Sequence, residues 1–448
     1  METRSEKRAG RLPIDIPILF LLVFLNLPSE GRLEFGRELA GLAETGGFWA
    51  GIFEKSLVRN PIGALQVAAC TALLFLYGFV ATGDVSFRVR RRAKGAILVL
   101  LIAALLVLPA IGSMALRFQD GPRGHAHDGG VIQTEEALRF FLRGENPYAA
   151  DYRSTPMAGL DWGPGNPAIL HLPYFPLSFL IHLPGYAVGK ALFGGYDARA
   201  TYLLLYLLPF FWIPRWTADP ERRVLLAAFW GLNPFLVPHL IEGRNDVVPL
   251  VAMLGATHLM LSGRARGAAL FLGAACAAKQ FAFLMIPFFV IYLGRSEDGW
   301  AGAVRAGVRR AAPLLLPVAL FVLPFFLWNP GAFVDDTWLF NTGLSEVSYP
   351  LGGTPGYGLA NLINVFGLVE SRYHYFPFGL FQIPLMIAVG WVLLRRQRTR
   401  VGAGAPMTAF ALALFAFLLT SRIFHHNYLA FLFLFLALPL FAERLGED

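Results

Sequence analysis

Charge is scarce in this chain. Only 15% of its 448 residues are Asp, Glu, Lys or Arg, against 56% hydrophobic residues, and the mean hydropathy is +0.54. That balance excludes an ordinary soluble domain. Cysteine is nearly absent. Cys70 and Cys276 both stand inside apolar runs, which excludes a disulfide framework or a cysteine metal site and reads as two inert core residues. No Gly-rich phosphate loop, dinucleotide-binding fingerprint, internal repeat or low-complexity linker is present, so neither a nucleotide nor a second domain is expected. Residues 1–448 read as a single membrane domain. The formal charge of +8 is gathered in short clusters between apolar runs, a pattern of membrane orientation rather than of nucleic-acid binding.

What is abundant is apolar sequence. The runs 14–27, 62–81, 96–115 and 428–441 hold almost no charge, and many approach the ~20 residues that cross a bilayer. Arg4, Lys7, Arg8 and Arg11 precede the first run, but no small-residue cleavage site follows Leu27. A retained span is expected there rather than a signal peptide. Basic clusters at 88–94, 215–223, 264–266, 295–310 and 395–400 are assigned to the cytoplasm by the positive-inside rule. Keeping them all there requires one of the two runs in 169–214 not to cross. Pro173, Pro176 and Pro184 break up the first, which suits an interfacial segment. The expected fold is all-α and polytopic, with about twelve transmembrane helices and both termini cytoplasmic. External segments fall at 29–61, 116–196, 242–246, the Lys279 turn, 329–375 and 421–427. A single helix through 267–293 would invert every later loop, and the later basic clusters oppose it.

The segment 116–196 departs most from the rest. Membrane helices are usually joined by short loops, so a large polar and aromatic loop points to chemistry at one membrane face. Within it Asp128 is a carboxylate just beyond a helix end, able to take a proton from a hydroxyl nucleophile; the ordinary alternative is a solvated loop aspartate. His125 and His127 flank it, which leaves a metal or a proton relay open. Residues 134–143 have helical spacing, with an apolar stripe of Ala137, Leu138, Phe141 and Leu142, a start at Thr134 and a stop at Gly144. That helix is expected to lie flat on the bilayer.

Further charges sit where apolar spans leave little room for them. Glu242-Gly-Arg244-Asn-Asp246 is either an Arg–Asp pair closing a tight turn or an anion site, with Arg244 on the anion and Asp246 orienting it or a sugar hydroxyl. Lys279 stands between two apolar runs and either snorkels or meets an anion. Arg422, His425 and His426 add cations on the last external loop. One carboxylate facing several cations fits transfer from a phosphate-bearing donor, because a departing phosphate needs charge stabilisation. Tyr148, Trp162 and Tyr174 offer a sugar platform, although aromatics near an interface commonly serve as anchors.

The order of these pieces resembles a family. A loop aspartate is followed by a helix ending Gly144-Glu-Asn-Pro-Tyr148, then Tyr174-Phe-Pro-Leu177, Trp230-Gly-Leu-Asn-Pro234, Glu242-Gly-Arg-Asn-Asp246 and Ala278-Lys279. Over 95–295 this is similar to the GT-C superfamily of polytopic glycosyltransferases. The nearer likeness is to bacterial polyprenyl-phosphate-mannose-type transferases, the more distant one to the first mannosyltransferase of GPI-anchor synthesis. The resemblance implies an inverting transferase that moves a hexose such as mannose from a polyprenyl-phosphate donor to a lipid or glycan acceptor. Asp128 would be the catalytic base, and Arg244, Lys279, Arg422 and His425 would hold the donor phosphate. Asp246, Glu242, Tyr148 and Tyr174 would contact sugar or acceptor. Many relatives carry Asp-x-Asp in this loop; here it reads Asp128-Gly-Gly130, so no metal or other cofactor is expected. Two spans precede the helix before the loop where relatives commonly have one. Helices rich in arginine and alanine over lysine point to a GC-rich bacterium, hence the inner (plasma) membrane, with the site on its outer face. The rival reading is a transporter or lipid flippase without transferase activity. Its weakness is that the polar residues gather on one side and the loops are very uneven, whereas transporters often show two related halves around a midplane site.

Overall fold

Apolar runs punctuated by proline, glycine and isolated charges dictate helices of uneven length. The structure, a computed structural model, describes residues 13–27, 61–160, 167–352, 357–400 and 402–446. Among these residues all regular structure is helical and no strand occurs. The elements used below are α1 (Asp15–Asn26), α2 (Ile62–Thr82), α3 (Phe87–Asp120), α4 (Thr134–Leu142) and α5 (Ala198–Leu207). They continue with α6 (Val247–Leu261), α7 (Ala265–Ala278), α8 (Gln280–Leu293), α9 (Gly379–Arg398), α10 (Gly404–Leu419) and α11 (Leu429–Phe441). Three of them, α2, α3 and α9, are long and apolar enough to cross a membrane.

Several other apolar runs fold into shorter pieces, because a proline or a polar turn interrupts them. The run at 315–328 divides into Leu315–Phe321 and Leu323–Trp328, with Pro324 opening the second; a proline ring fits the first turn of a helix but not its interior. The run after Arg264 stops at Ala278, where Lys279 is extended (φ −152°, ψ 133°), and a 3-10 turn then opens α8. A continuous helix through 267–293 is therefore excluded.

Charge buried among the first helices is paired. Asp15 of α1 accepts from the Lys94 ammonium of α3 at 2.7 Å and from the Tyr77 hydroxyl of α2 at 2.5 Å. An unpaired charge in an apolar bundle is costly, so this triad fixes the register of three helices. At 34 residues α3 is ~51 Å long at 1.5 Å per residue, enough to cross the ~30 Å hydrocarbon layer and extend beyond it. The outside of the bundle is apolar: Phe75, Phe79, Phe193 and Leu440 are each more than two-thirds exposed.

The segment after α3 builds a second core of its own, in which Ile132, Phe140, Tyr152 and Phe179 pack with Phe325 and Phe333 from the segment after 322. Here the expected surface helix differs from the observed one. α4 does begin at Thr134 and give way to Gly144 (φ 77°). It is not a flat amphipathic helix, because Glu135 and Glu136 are buried along with Ala137 and Leu138, while Leu142 is half exposed. The physical reason is Arg117, whose guanidinium grips both oxygens of Glu135 at 2.8 and 2.9 Å. A neutralised carboxylate can turn inward.

Candidate active site

A cavity of about 1890 Å³ opens where the polar loops meet. Its wall includes the loops at 125–130 and 241–246, Lys279 and residues from 421–428, together with apolar side chains of α8, α9 and α10 such as Leu284, Ile383, Met386, Ile387 and Phe417.

The first two loops are built as a unit. His127 N–H donates to the Glu242 carbonyl at 2.7 Å. A Cβ on Gly130 would lie 2.1 Å from the Gly243 carbonyl oxygen, and Gly243 itself has φ +91°. Only glycine permits that approach and that backbone. A Cβ on Gly129 would in turn lie 2.6 Å from the Tyr174 hydroxyl. A side chain at position 130 is thus excluded by the Gly243 backbone.

Asp128 starts a π-turn that runs into α4. Its Oδ1 accepts from Gly129 N–H at 2.6 Å, whereas its Oδ2 is buried without a hydrogen-bond partner. Leaving such an atom unpaired costs about 1–3 kcal/mol. His127 lies 3.2 Å from Asp128 Oδ1, but its Nδ1 accepts from Gly130 N–H at 2.9 Å, so that nitrogen bears no proton. Burial, reinforced by Arg244, pulls His127 below its ordinary pKa despite the pull of Asp128 the other way. His125 instead reaches Asp120, at 2.7 Å. The three residues therefore do not converge as metal ligands. Among the described residues the group with metal-ligand spacing is His171, Asp335 and Asp336, with ligand atoms within 4.8 Å of one another.

The expected cations divide by what they already hold. Lys279 forms a buried ion pair with Asp246, whose other oxygen accepts from Asn427 Nδ2 at 2.5 Å. Burial opposes ionisation of Asp246, but Lys279 and Asn427 hold its pKa below the usual carboxylate range. The ammonium also lies 5.1–5.8 Å from the ring centres of Tyr428, Phe281 and Tyr174. Arg422 is spent on backbone: it donates to the carbonyls of Tyr349, His374, Arg372 and Tyr373 at 2.5–3.2 Å. Four of the five donors of a guanidinium are so used, and the side chain ties Tyr349 to residues 372–374. His425 is not a cation either, since burial, aided by Arg244, takes its pKa down to about 3; its Nε2 lies 3.1 Å from the Tyr349 hydroxyl.

Arg244 keeps capacity. It donates to Glu242 at 3.1 Å and to Asn427 Oδ1 at 3.5 Å, and three of its five N–H groups lie outside those bonds. Glu242 is half exposed on the cavity wall; burial would raise its pKa, but His239 and Arg244 bring it down to about 2. Tyr174 lines the cavity. Tyr148 does not: its ring packs on Phe333 at 4.8 Å in the second core and its hydroxyl donates to the Tyr174 carbonyl at 2.8 Å. Trp162 lies outside the described residues.

Sequence reasoning missed the frame beneath the loops. Arg199, fully buried, donates to both oxygens of Asp197 at 2.9 and 2.7 Å, and Asp197 also accepts from Arg117 at 2.9 Å. With Glu135 this makes two guanidinium and two carboxylate groups. Arg199 also donates to the carbonyls of His125 at 2.7 Å and Ile241 at 3.2 Å. The available signal was Asp197-Ala-Arg199 opening an otherwise apolar helix. The chain matches no protein-family model, no curated protein and no solved structure.

Proposed function

We propose that the chain is a membrane-embedded inverting glycosyltransferase of GT-C type. It would transfer a hexose from a polyprenyl-phosphate donor to a lipid or glycan acceptor at the outer face of a bacterial inner membrane, with about twelve crossings and both termini cytoplasmic. The observation that carries this reading is Asp128 Oδ2, a buried carboxylate oxygen without a partner, in a residue on the wall of a cavity lined by both charged loops and apolar helix side chains. An amphipathic cavity suits a substrate with a polar head and a hydrocarbon tail. Asp128 takes the proton of the acceptor hydroxyl. That oxygen bonds to the anomeric carbon, the carbon–oxygen bond to phosphate breaks, and polyprenyl phosphate departs with its charge held by Arg244. Lys279 acts through Asp246 and the loop rather than as a free cation, and Arg422 and His425 serve the fold of the wall.

The test is release of polyprenyl phosphate from a panel of polyprenyl-phosphate sugars, with the protein in nanodiscs beside Asp128→Asn. Turnover by the parent chain alone supports the assignment. Equal turnover in both moves the base elsewhere. Silence of a folded parent chain across donors and acceptors, together with lipid flux in liposomes, would replace the transferase by a flippase.

A further inference from the structure

Two other side chains on the cavity wall end in an atom that nothing in the protein satisfies. Gln133, fully buried, donates from Nε2 to the carbonyls of Ala168 at 2.6 Å and His171 at 2.8 Å. Its Oε1 is buried and unpartnered. Asn245 accepts at Oδ1 from the Lys279 ammonium at 3.4 Å, and its Nδ2 is buried and unpartnered. Oxygen and nitrogen of an amide are easily exchanged in assignment, but the partners fix both orientations here. Carbonyls only accept, so the nitrogen of Gln133 must face them. An ammonium only donates, so the oxygen of Asn245 must face Lys279. The unpartnered atoms therefore have a definite sense: Gln133 presents an acceptor and Asn245 a donor.

Buried polar atoms in folded proteins are nearly always paired, and Gln133, Asn245 and Asp128 line the same cavity. We infer that Gln133 and Asn245 are specificity-determining residues that read hydroxyl groups of the transferred sugar. This inference rests on the transferase reading. The polarity of the two atoms selects the ligand. A hydroxyl both donates and accepts, so a neutral polyol ring satisfies both. An ionised phosphate has no proton for Gln133, and an apolar chain serves neither.

The experiment compares a polyprenyl-phosphate hexose that the parent chain uses with its monodeoxy derivatives, in nanodiscs, for the parent, Gln133→Met and Asn245→Leu. A site built on a hydrogen bond to a hydroxyl discriminates strongly against the analogue lacking it. The parent should use at least one monodeoxy donor at least ~10-fold less well. Each variant should bring its own ratio close to one while retaining discrimination at the other hydroxyl. The ratio is measured within one preparation, so a variant that folds in lower yield still reports. Ratios unchanged from the parent in both variants overturn the inference and leave the transferase reading standing. A parent chain that releases polyprenyl phosphate from no donor overturns both.

Discussion

Arg199 and His125 are joined by a hydrogen bond of 2.7 Å from a fully buried guanidinium to a loop carbonyl, and the same nitrogen reaches the Ile241 carbonyl at 3.2 Å. One cation thereby fixes both loops of the cavity wall. Arg199→Met leaves Asp197 with Arg117 as its remaining charged partner and removes the cation that bridges the two carbonyls, although Ser113 Oγ still donates to the His125 carbonyl at 2.7 Å. Removing one member of a buried ionic group costs about 3–5 kcal/mol. The expected outcome is a clear fall in the thermal midpoint in nanodiscs, with Arg199→Lys intermediate because an ammonium cannot span the same acceptors. A midpoint equal to that of the parent would show that the loops are held by other contacts.

The Lys279–Asp246 pair gives a second expectation. Lys279→Met strands a buried carboxylate and Asp246→Leu strands a buried ammonium, so each single change should cost about 3–5 kcal/mol. Replacing both with apolar residues removes the stranded charge. Lys279→Met combined with Asp246→Leu should therefore be less damaging than the sum of the singles, as read from a double-mutant cycle of unfolding. Additive losses would mean that the two charges are satisfied independently, for instance by Asn427 and Asn245.

These two cases also mark how far the residues alone could lead. Helical class, the break at Lys279, and the polar character of 116–196 were legible, because hydrophobic run length, proline and isolated charge act locally. What cations hold was not. Arg422, His425, Lys279 and Arg244 look alike in sequence, yet four backbone carbonyls occupy the first, burial neutralises the second, and Asp246 pairs with the third. Those partners lie 33 to 73 residues away for Lys279 and for the bond from Arg422 to Tyr349, and no periodicity encodes them. Tyr148 was misjudged for a related reason: Phe325 and Phe333, which bury it, come from a distant segment.

Gly130 allows a test of the loop junction without touching a charge. A methyl group there meets the Gly243 carbonyl oxygen at 2.1 Å, a backbone atom that cannot swing aside. Gly130→Ala should part the two loops and abolish turnover. Gly243→Ala, at φ +91° and with Val131 Cγ2 at 2.2 Å, should behave alike because the left-handed region also disfavours a side chain. Both effects are checked by turnover and by hydrogen exchange at the His127 amide, which donates across the junction. Normal turnover in both variants would remove the junction from the site.

The clasp between His171 and Asp336 ties the segment after α3 to the one before α9, and it carries a pH signature. Asp336 lies 2.8 Å from His171 Nδ1 and accepts from Leu172 N–H at 2.8 Å, with Asp335 also facing the ring at 3.6 Å. Burial, only partly opposed by His171, raises the Asp336 pKa from 3.8 to about 6. Below about pH 4 both folded and unfolded chains hold the proton; between about 4 and 6 only the folded chain does. The folded state therefore loses stability as pH rises through that window, by about 3 kcal/mol for a pKa raised from 3.8 to about 6. Asp336→Asn cannot ionise and still offers an acceptor to Leu172. Its stability relative to the parent should rise by that amount between about pH 4 and 6 and then stay level. Thermal midpoints of the two proteins measured across pH decide the matter, and a constant difference through the window would mean that Asp336 ionises without penalty.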